Sequence, residues 1–255
     1  MRLTGSTVLV TGASAGIGAA TSALLAARRA RVLVHGRDET RTADVAVRIG
    51  AVPLLADLTT ATGVDRLADS ARAQAPVDVL VACAGRGHSG PFTAMTPDEI
   101  DDVLALDLTG VLRLAHRLLP GMVERGTGHL CFVSSIAGRT GVAGEAVYAA
   151  AKAGLDAFAD SLRLELVGTG VGVSVVVPGV VDTGFFAARG RPYDRRSPRP
   201  VSAETVAKAI VATIEHDRAE AYVPGWLRLA PAVRAVAPGS FRTLSRRFGE
   251  RVRVR

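Results

Sequence analysis

The sequence predicts a single doubly wound α/β domain, one parallel sheet of about seven strands with helices on both faces. Three observations point there. Short aliphatic runs alternate with longer segments of helical periodicity, the order that builds βαβ units with right-handed crossovers. Hydrophobic residues make up 48% of the 255 positions and aromatic ones only 4%, which suits strands buried on both faces. The first aliphatic run ends in glycines that open a helix, the arrangement of a dinucleotide-binding turn.

Taken in order, the strands are expected at 7–11 (TVLVT), 31–35 (RVLVH), 51–56, 77–82, 129–134 (HLCFVS), 172–177 (GVSVVV) and, shorter, 221–223. Helices are expected from the glycine turn to about Arg29, and over 98–123, 147–166 and 203–215. Thr96, Pro97, Asp98 and Glu99 mark a helix start: a capping hydroxyl, a proline in the first turn and acids near the positive helix end. The segment 184–200 (GFFAARGRPYDRRSPRP) has no periodicity and reads as a long surface loop, a candidate lid. We expect a catalytic domain over 1–224 that includes this loop, and a basic C-terminal extension over 225–255.

Charge is uneven. Of the 31 basic residues, 29 are Arg and only Lys152 and Lys208 are lysine. The net charge of +7 lies entirely in 225–255, where eight arginines face one glutamate. A lysine kept amid so much arginine suits a role that needs a compact, tunable ammonium. Cys83 and Cys131 sit in apolar runs and read as buried thiols rather than a disulfide framework, consistent with a reducing compartment. The opening apolar run is too short for a signal peptide, and no stretch approaches the roughly 20 apolar residues of a membrane span. A cytoplasmic protein is expected, and no metal is expected in its site.

Gly12, Gly16 and Gly18, with Ser14, Ala15 and Ile17 between them, follow the first strand and open the first helix. Such a Rossmann-type turn presents backbone amides and a helix dipole to a pyrophosphate. The second strand ends at Gly36 and Arg37, where an acid would otherwise bind a ribose 2′-hydroxyl. Gly36 leaves room and the planar Arg37 fork suits a 2′-phosphate, so NADP(H) is expected over NAD(H). The competing reading is a solvated Arg37 beside a helix-capping Asp38.

Tyr148 and Lys152 stand at i, i+4 in YAAAK, on one helical face. An ammonium so placed should lower the phenol below its ordinary value near 10 and suit it to acid/base work. Ser134 and Ser135 close the fifth strand, on the edge where such sheets bind ligands.

With TGASAGIG at 11–18, ADL at 56–58, AG at 84–85, VSS at 133–135, YAAAK at 148–152 and PGVVDT at 178–183, the chain resembles the short-chain dehydrogenases/reductases from about Gly5 to Val223. The resemblance implies an NADP(H)-dependent oxidoreductase that moves a hydride between the nicotinamide and a ketone, aldehyde or secondary alcohol. It implies that Tyr148 is the acid/base, that Lys152 binds the nicotinamide ribose and that Ser135 holds the substrate oxygen. Asp57 and Leu58 would meet the adenine, and Thr183 the carboxamide. Ala84, Gly85, Pro178, Gly179 and Val181 would line the cofactor site, and a homodimer or homotetramer would form through the two long helices.

Two departures stand out. Ala82 and Cys83 replace the asparagines usual before the Ala-Gly pair, and Asp107 replaces an asparagine that helps hold a water on the lysine. Asp107 places a negative charge near Lys152 and could grip it. These departures keep a second class open, an NADP(H)-binding scaffold without turnover.

In the loop, Phe185, Phe186 and Tyr193 could line an apolar pocket. Arg189, Arg191, Arg195, Arg196 and Arg199 could meet an anionic substrate handle or be solvated. The tail, with Trp226, Leu227, Leu229, Phe241, Leu244 and Phe248 among its arginines, could pack on the domain or lie peripherally on an anionic membrane. Specific nucleic-acid binding is not expected.

Overall fold

The structure is a computed structural model that describes residues 1–190, 193 and 198–248. Arg191, Arg195, Arg196 and the end of the tail from 249 lie outside the described residues.

Seven parallel strands form the central sheet: β1 (Thr7–Val10), β2 (Arg31–Gly36), β3 (Val52–Leu55), β4 (Val79–Ala82), β5 (Gly128–Val133), β6 (Val171–Pro178) and β9 (Glu220–Val223). They lie in the order β3-β2-β1-β4-β5-β6-β9. The chain reverses its winding between β1 and β4, and at such a switch point a crevice opens beyond the strand ends. Register is set by Val8 opposite both Val32 and Val79, and by Val81 opposite Cys131.

Successive side chains of a strand point to opposite faces, so the sheet splits its aliphatic residues into two cores. Leu9, Leu80, Leu130 and Phe132 face α3 (Ala61–Gln74), α5 (Gly110–Glu124) and α7 (Ala146–Glu165), where Leu67, Leu114 and Leu155 meet them. Val8, Val10, Val79, Val81 and Cys131 face α1 (Gly16–Ala27), α2 (Glu39–Ile49) and α9 (Ala203–Glu215), against Leu25, Val45, Ile210 and Ile214. Cys83 and Cys131 are free thiols.

The expected capping at Thr96 is present in full. Its hydroxyl accepts from Glu99 N at 3.2 Å, Glu99 Oε2 accepts from Thr96 N at 2.9 Å, and Pro97 opens α4 (Pro97–Leu104). The structure corrects the single regular helix expected over 98–123. A π-helical turn, Ala105–Thr109, separates α4 from α5. The widened turn carries Asp107 inward, fully buried, as such bulges often do at functional sites.

A second correction concerns the loop. It holds a short helix α8 (Phe185–Ala188), and a two-stranded ribbon closes it, β7 (Val181–Asp182) on β8 (Val201–Ser202). Beyond β9, a 3-10 turn (Gly225–Arg228) leads into α10 (Leu229–Val236) and α11 (Pro238–Phe248). Pro238 opens α11, whereas Pro231 lies within the first turn of α10, where a missing N–H costs little. Among the described residues no helix is long and apolar enough to cross a membrane.

Candidate active site

A cleft of about 920 Å³ opens at the C-terminal ends of β1, β4, β5 and β6. The residues singled out from the sequence line it together: the turn residues 12–18 except Ala13, then Arg37, Asp57, Leu58, Ala84, Gly85, Asp107, Ser135, Tyr148, Lys152, Pro178, Gly179, Val181 and Thr183.

One end is shaped by absent side chains. Gly12 has φ +64°, and a Cβ there would stand 2.6 Å from the Ala84 backbone. A Cβ on Gly18 would stand 2.4 Å from Gly12 O, where helix and turn touch. Ala15 caps α1 with no side-chain hydrogen bond, so the first-turn amides stay available to a ligand. The Thr11 hydroxyl accepts from the amides of Cys83 and Ala84, both at 3.1 Å, and ties the β4 end to the turn.

Gly36 has a steric reason beyond leaving room: a Cβ would fall 2.2 Å from Thr42 Oγ1 and 3.0 Å from Ser14 Cβ. An acidic side chain therefore has no place at this strand end. Arg37 is exposed on the rim, with no ion pair among the described residues. Asp38 caps α2, accepting from Arg41 N at 2.9 Å, as expected at this strand end. Asp57 accepts from the Thr59 amide at 3.0 Å and its hydroxyl at 2.8 Å. The amide foremost, then that hydroxyl and the Arg37 guanidinium, hold the Asp57 carboxyl below the usual carboxylate range against the effect of burial.

The other end is closed. Tyr148 is buried on the first turn of α7, and Lys152 is buried one turn on, with Nζ 5.6 Å from the Tyr148 ring centre. Lys152 Nζ lies 3.0 Å from Asp107 Oδ1 and donates to Val133 O at 3.3 Å. Asp107 Oδ2 accepts from Arg86 N at 2.9 Å. Gly85 must be glycine here, because a Cβ would stand 2.5 Å from Asp107 Oδ1. Ser135 caps α6 (Ile136–Thr140), its Oγ accepting from Ala137 N at 3.1 Å.

The expected lowering of the Tyr148 phenol is overturned. Burial first, then the Asp107 and Glu145 carboxylates, push it up to about 12, outweighing the Lys152 ammonium and a hydrogen bond with Ser135. Burial also works against the Lys152 ammonium. Asp107 and Tyr148 more than offset it and hold the lysine above its usual value.

The segment from Gly184 departs from expectation too. Arg189 is not presented to an incoming anion. It forms a buried ion pair with Glu145 and lies 4.4 Å over the Phe186 ring. Phe185 stands 5.7 Å from the Tyr148 ring, and Phe186 5.4 Å from Tyr193. Phe185, Phe186 and Tyr193 therefore line the cleft beside the phenol as expected, while Arg199 is exposed. Glu145 was missed from the sequence: it is a lone acid among glycines and alanines, and its partner is 44 positions away. No metal-ligand cluster occurs among the described residues.

Comparison with known proteins agrees with this architecture. The sequence model described as short chain dehydrogenase matches residues 6–194. The ketoacyl reductase HetN of a Nostoc species is 35% identical, over 97% of this chain and 90% of that protein. A short-chain dehydrogenase from Sphingobium yanoikuyae, solved in complex with NADPH, superposes with a TM-score of 0.82 at 27% identity, covering 98% of both chains. A 3-oxoacyl (acyl-carrier-protein) reductase from Agrobacterium tumefaciens, solved with NADP bound, gives 0.76 at 32% identity, over 82% of this chain and 87% of that one. With a matching family model over most of its length and its buried Tyr148–Lys152 pair at the switch-point cleft, this chain belongs to the short-chain dehydrogenase family.

Proposed function

We propose that the protein is an NADPH-dependent carbonyl reductase in which Tyr148 is the acid/base. The observation that carries the reading is the buried Ser135, Tyr148 and Lys152 group at the closed end of a cleft whose other end is a glycine cradle. That cradle fits a dinucleotide: Gly12 and Gly18 allow close backbone approach, and the uncapped α1 terminus suits a pyrophosphate. Arg37, exposed and without an ion pair among the described residues, suits a 2′-phosphate. Related proteins solved with NADPH or NADP support the same choice.

When bound, the reduced nicotinamide supplies a hydride. Tyr148 donates the proton that the carbonyl oxygen gains, and Ser135 steadies that oxygen as charge develops. Lys152 holds the nicotinamide ribose, Asp57 and Leu58 the adenine, and Thr183 the carboxamide. Ala84, Gly85, Pro178, Gly179 and Val181 complete the lining. Phe185, Phe186 and Tyr193 form an apolar wall that suits an acyl or aryl ketone. The ketoacyl reductases among the relatives make a 3-oxoacyl thioester the first substrate to try. NADPH consumption with that thioester and a panel of simple ketones tests the reading. Turnover lost in Tyr148→Phe supports it, and turnover kept in that variant overturns it.

The tail supports a second, compatible proposal. Trp226, Leu229, Val233 and Val236 are exposed at spacings of three and four, along one side of the last 3-10 turn and α10. Leu227 is buried against Gly179, and Arg234 donates to Arg139 O at 2.7 Å, which fixes the other side to the domain. An exposed apolar stripe beside arginines suits the surface of an anionic bilayer. Sedimentation with phosphatidylglycerol vesicles, salt-sensitive and lost in a chain ending at Pro224, would support a cytoplasmic enzyme held at the membrane. Equal sedimentation of both chains would dismiss it. Leu164 and Val167, exposed at the end of α7, support self-association through the long helices, which light scattering reads directly.

A further inference from the structure

We propose that Asp107 is a positioning residue that takes up the Lys152 ammonium and so keeps Tyr148 a proton donor at neutral pH, biasing the site toward carbonyl reduction. The inference rests on Tyr148 being the acid/base.

The geometry is specific. The π turn carries Asp107 inward until Oδ1 lies 3.0 Å from Lys152 Nζ. The Asp107 side chain is 0% exposed and that of Lys152 5%, so water screens neither charge from the other. Oδ2 is fixed by the Arg86 amide, and Gly85 leaves no side chain to push the carboxylate away. A neutral amide at the same place would leave the ammonium field to act on the phenol.

The other groups around Tyr148, Lys152 and Asp107 do not undo this. Glu145, at the start of α7, is a second carboxylate and is engaged by Arg189. Ser135 comes from the β5 end and carries no charge. Cys83 comes from the β4 end, its thiol pushed up to about 12 by burial, so it stays neutral. Arg86 turns its guanidinium outward to Asp102 at 2.6 Å. The Lys152 charge is therefore answered by Asp107 before it reaches the phenol, in keeping with the direction in which Tyr148 is moved.

The consequence is directional. In reduction the carbonyl carbon gains a C–H bond from hydride and the C=O π electrons move to oxygen. The Tyr148 O–H bond breaks as the alcohol O–H forms, and the phenolate then regains a proton from solvent. The hydride source is the reduced nicotinamide of the proposed reaction, which becomes oxidised. The reverse reaction needs the phenolate first, to accept the alcohol proton. A phenol kept protonated is ready for reduction at pH 7 and slow to support oxidation until the pH is high.

The chain has three tyrosines, Tyr148, Tyr193 and Tyr222, so the test needs no substrate. In a Tyr193→Phe/Tyr222→Phe background, ultraviolet absorbance of the phenolate reports Tyr148 alone. It is followed by stopped-flow pH jump, before alkaline unfolding. Asp107→Asn should lower the midpoint by about one pH unit or more, while Asp107→Glu keeps it high. The acidic limb of kcat/KM for alcohol oxidation, where the rate rises as the phenolate forms, should move the same way in Asp107→Asn. If that variant does not fold, Asp107→Ser removes the same charge and is read instead. An unchanged or raised midpoint in the charge-removed variant overturns the proposal. The two readings fail separately. A lowered midpoint with turnover kept in Tyr148→Phe would sink the acid/base role and leave the Asp107 coupling standing.

Discussion

The two ends of the cleft each set a cation near a carboxylate, and burial makes them different devices. At the rim, Arg37 and Asp57 feel one another across solvent, and backbone and hydroxyl donors do most to steady Asp57. At the closed end, Lys152 and Asp107 touch at 3.0 Å out of reach of water. A charge at the rim can be offered to a ligand because little is lost when its solvent is displaced. A charge at the closed end is already committed, because an unpaired buried ion costs several kcal/mol. The rim therefore suits selection of a cofactor, and the closed end suits control of a proton. Arg189 and Glu145 repeat the second pattern.

The contrast can be broken at several points. The largest effect is expected from Tyr148→Phe, which should cut kcat by about 10²–10⁴ while NADPH binding persists. Rapid kinetics beside fluorescence titration reads both. A parallel loss of binding would mean that the closed end also builds the cofactor site.

Arg189→Ala should come next. It strands the Glu145 carboxylate in a buried place, and about 3 kcal/mol of stability should go with it. An Arg189→Met/Glu145→Gln pair should recover much of that, and chemical denaturation measures the difference. If the single change costs nothing, the Arg189–Glu145 pair is not sealed from water and resembles the rim.

A pH-graded effect, smallest in any single step, comes from two buried histidines. Burial lowers both His35 and His129 to about 4, from an unfolded value near 6.5. A folded value below the unfolded one gives stability that is fully present above about pH 6.5. It drains away as pH falls toward 4, by at most roughly 1.4 kcal/mol per pH unit for each histidine. Thermal melts between pH 7 and 5 should show the decline, and His129→Gln should soften it. A flat profile would mean that these rings take up protons in the folded state as readily as in the unfolded one.

Legibility in the sequence follows the same division. The glycine turn, the capping box at Thr96 and the alternation of strands and helices depend on neighbours a few residues apart, and local spacing carried them into the structure. The site residues gather in one cleft because a doubly wound sheet brings its strand ends together whatever their separation along the chain. What could not be read depends on distance or on depth. The π turn adds one residue to a helical turn and barely disturbs the apolar pattern. The Glu145–Arg189 pair joins two loops with no shared periodicity. The Tyr148 phenol was misjudged because the i, i+4 view counted Lys152 and left out burial and Asp107, which together outweigh it.

The most direct test of the account is a fluorescence titration of the wild-type protein and Arg37→Ala with NADPH and with NADH. The account predicts tighter NADPH binding in the wild type, weakened about tenfold or more in Arg37→Ala, with NADH affinity left nearly unchanged. Preferential NADH binding, or an NADPH affinity indifferent to Arg37, would contradict it.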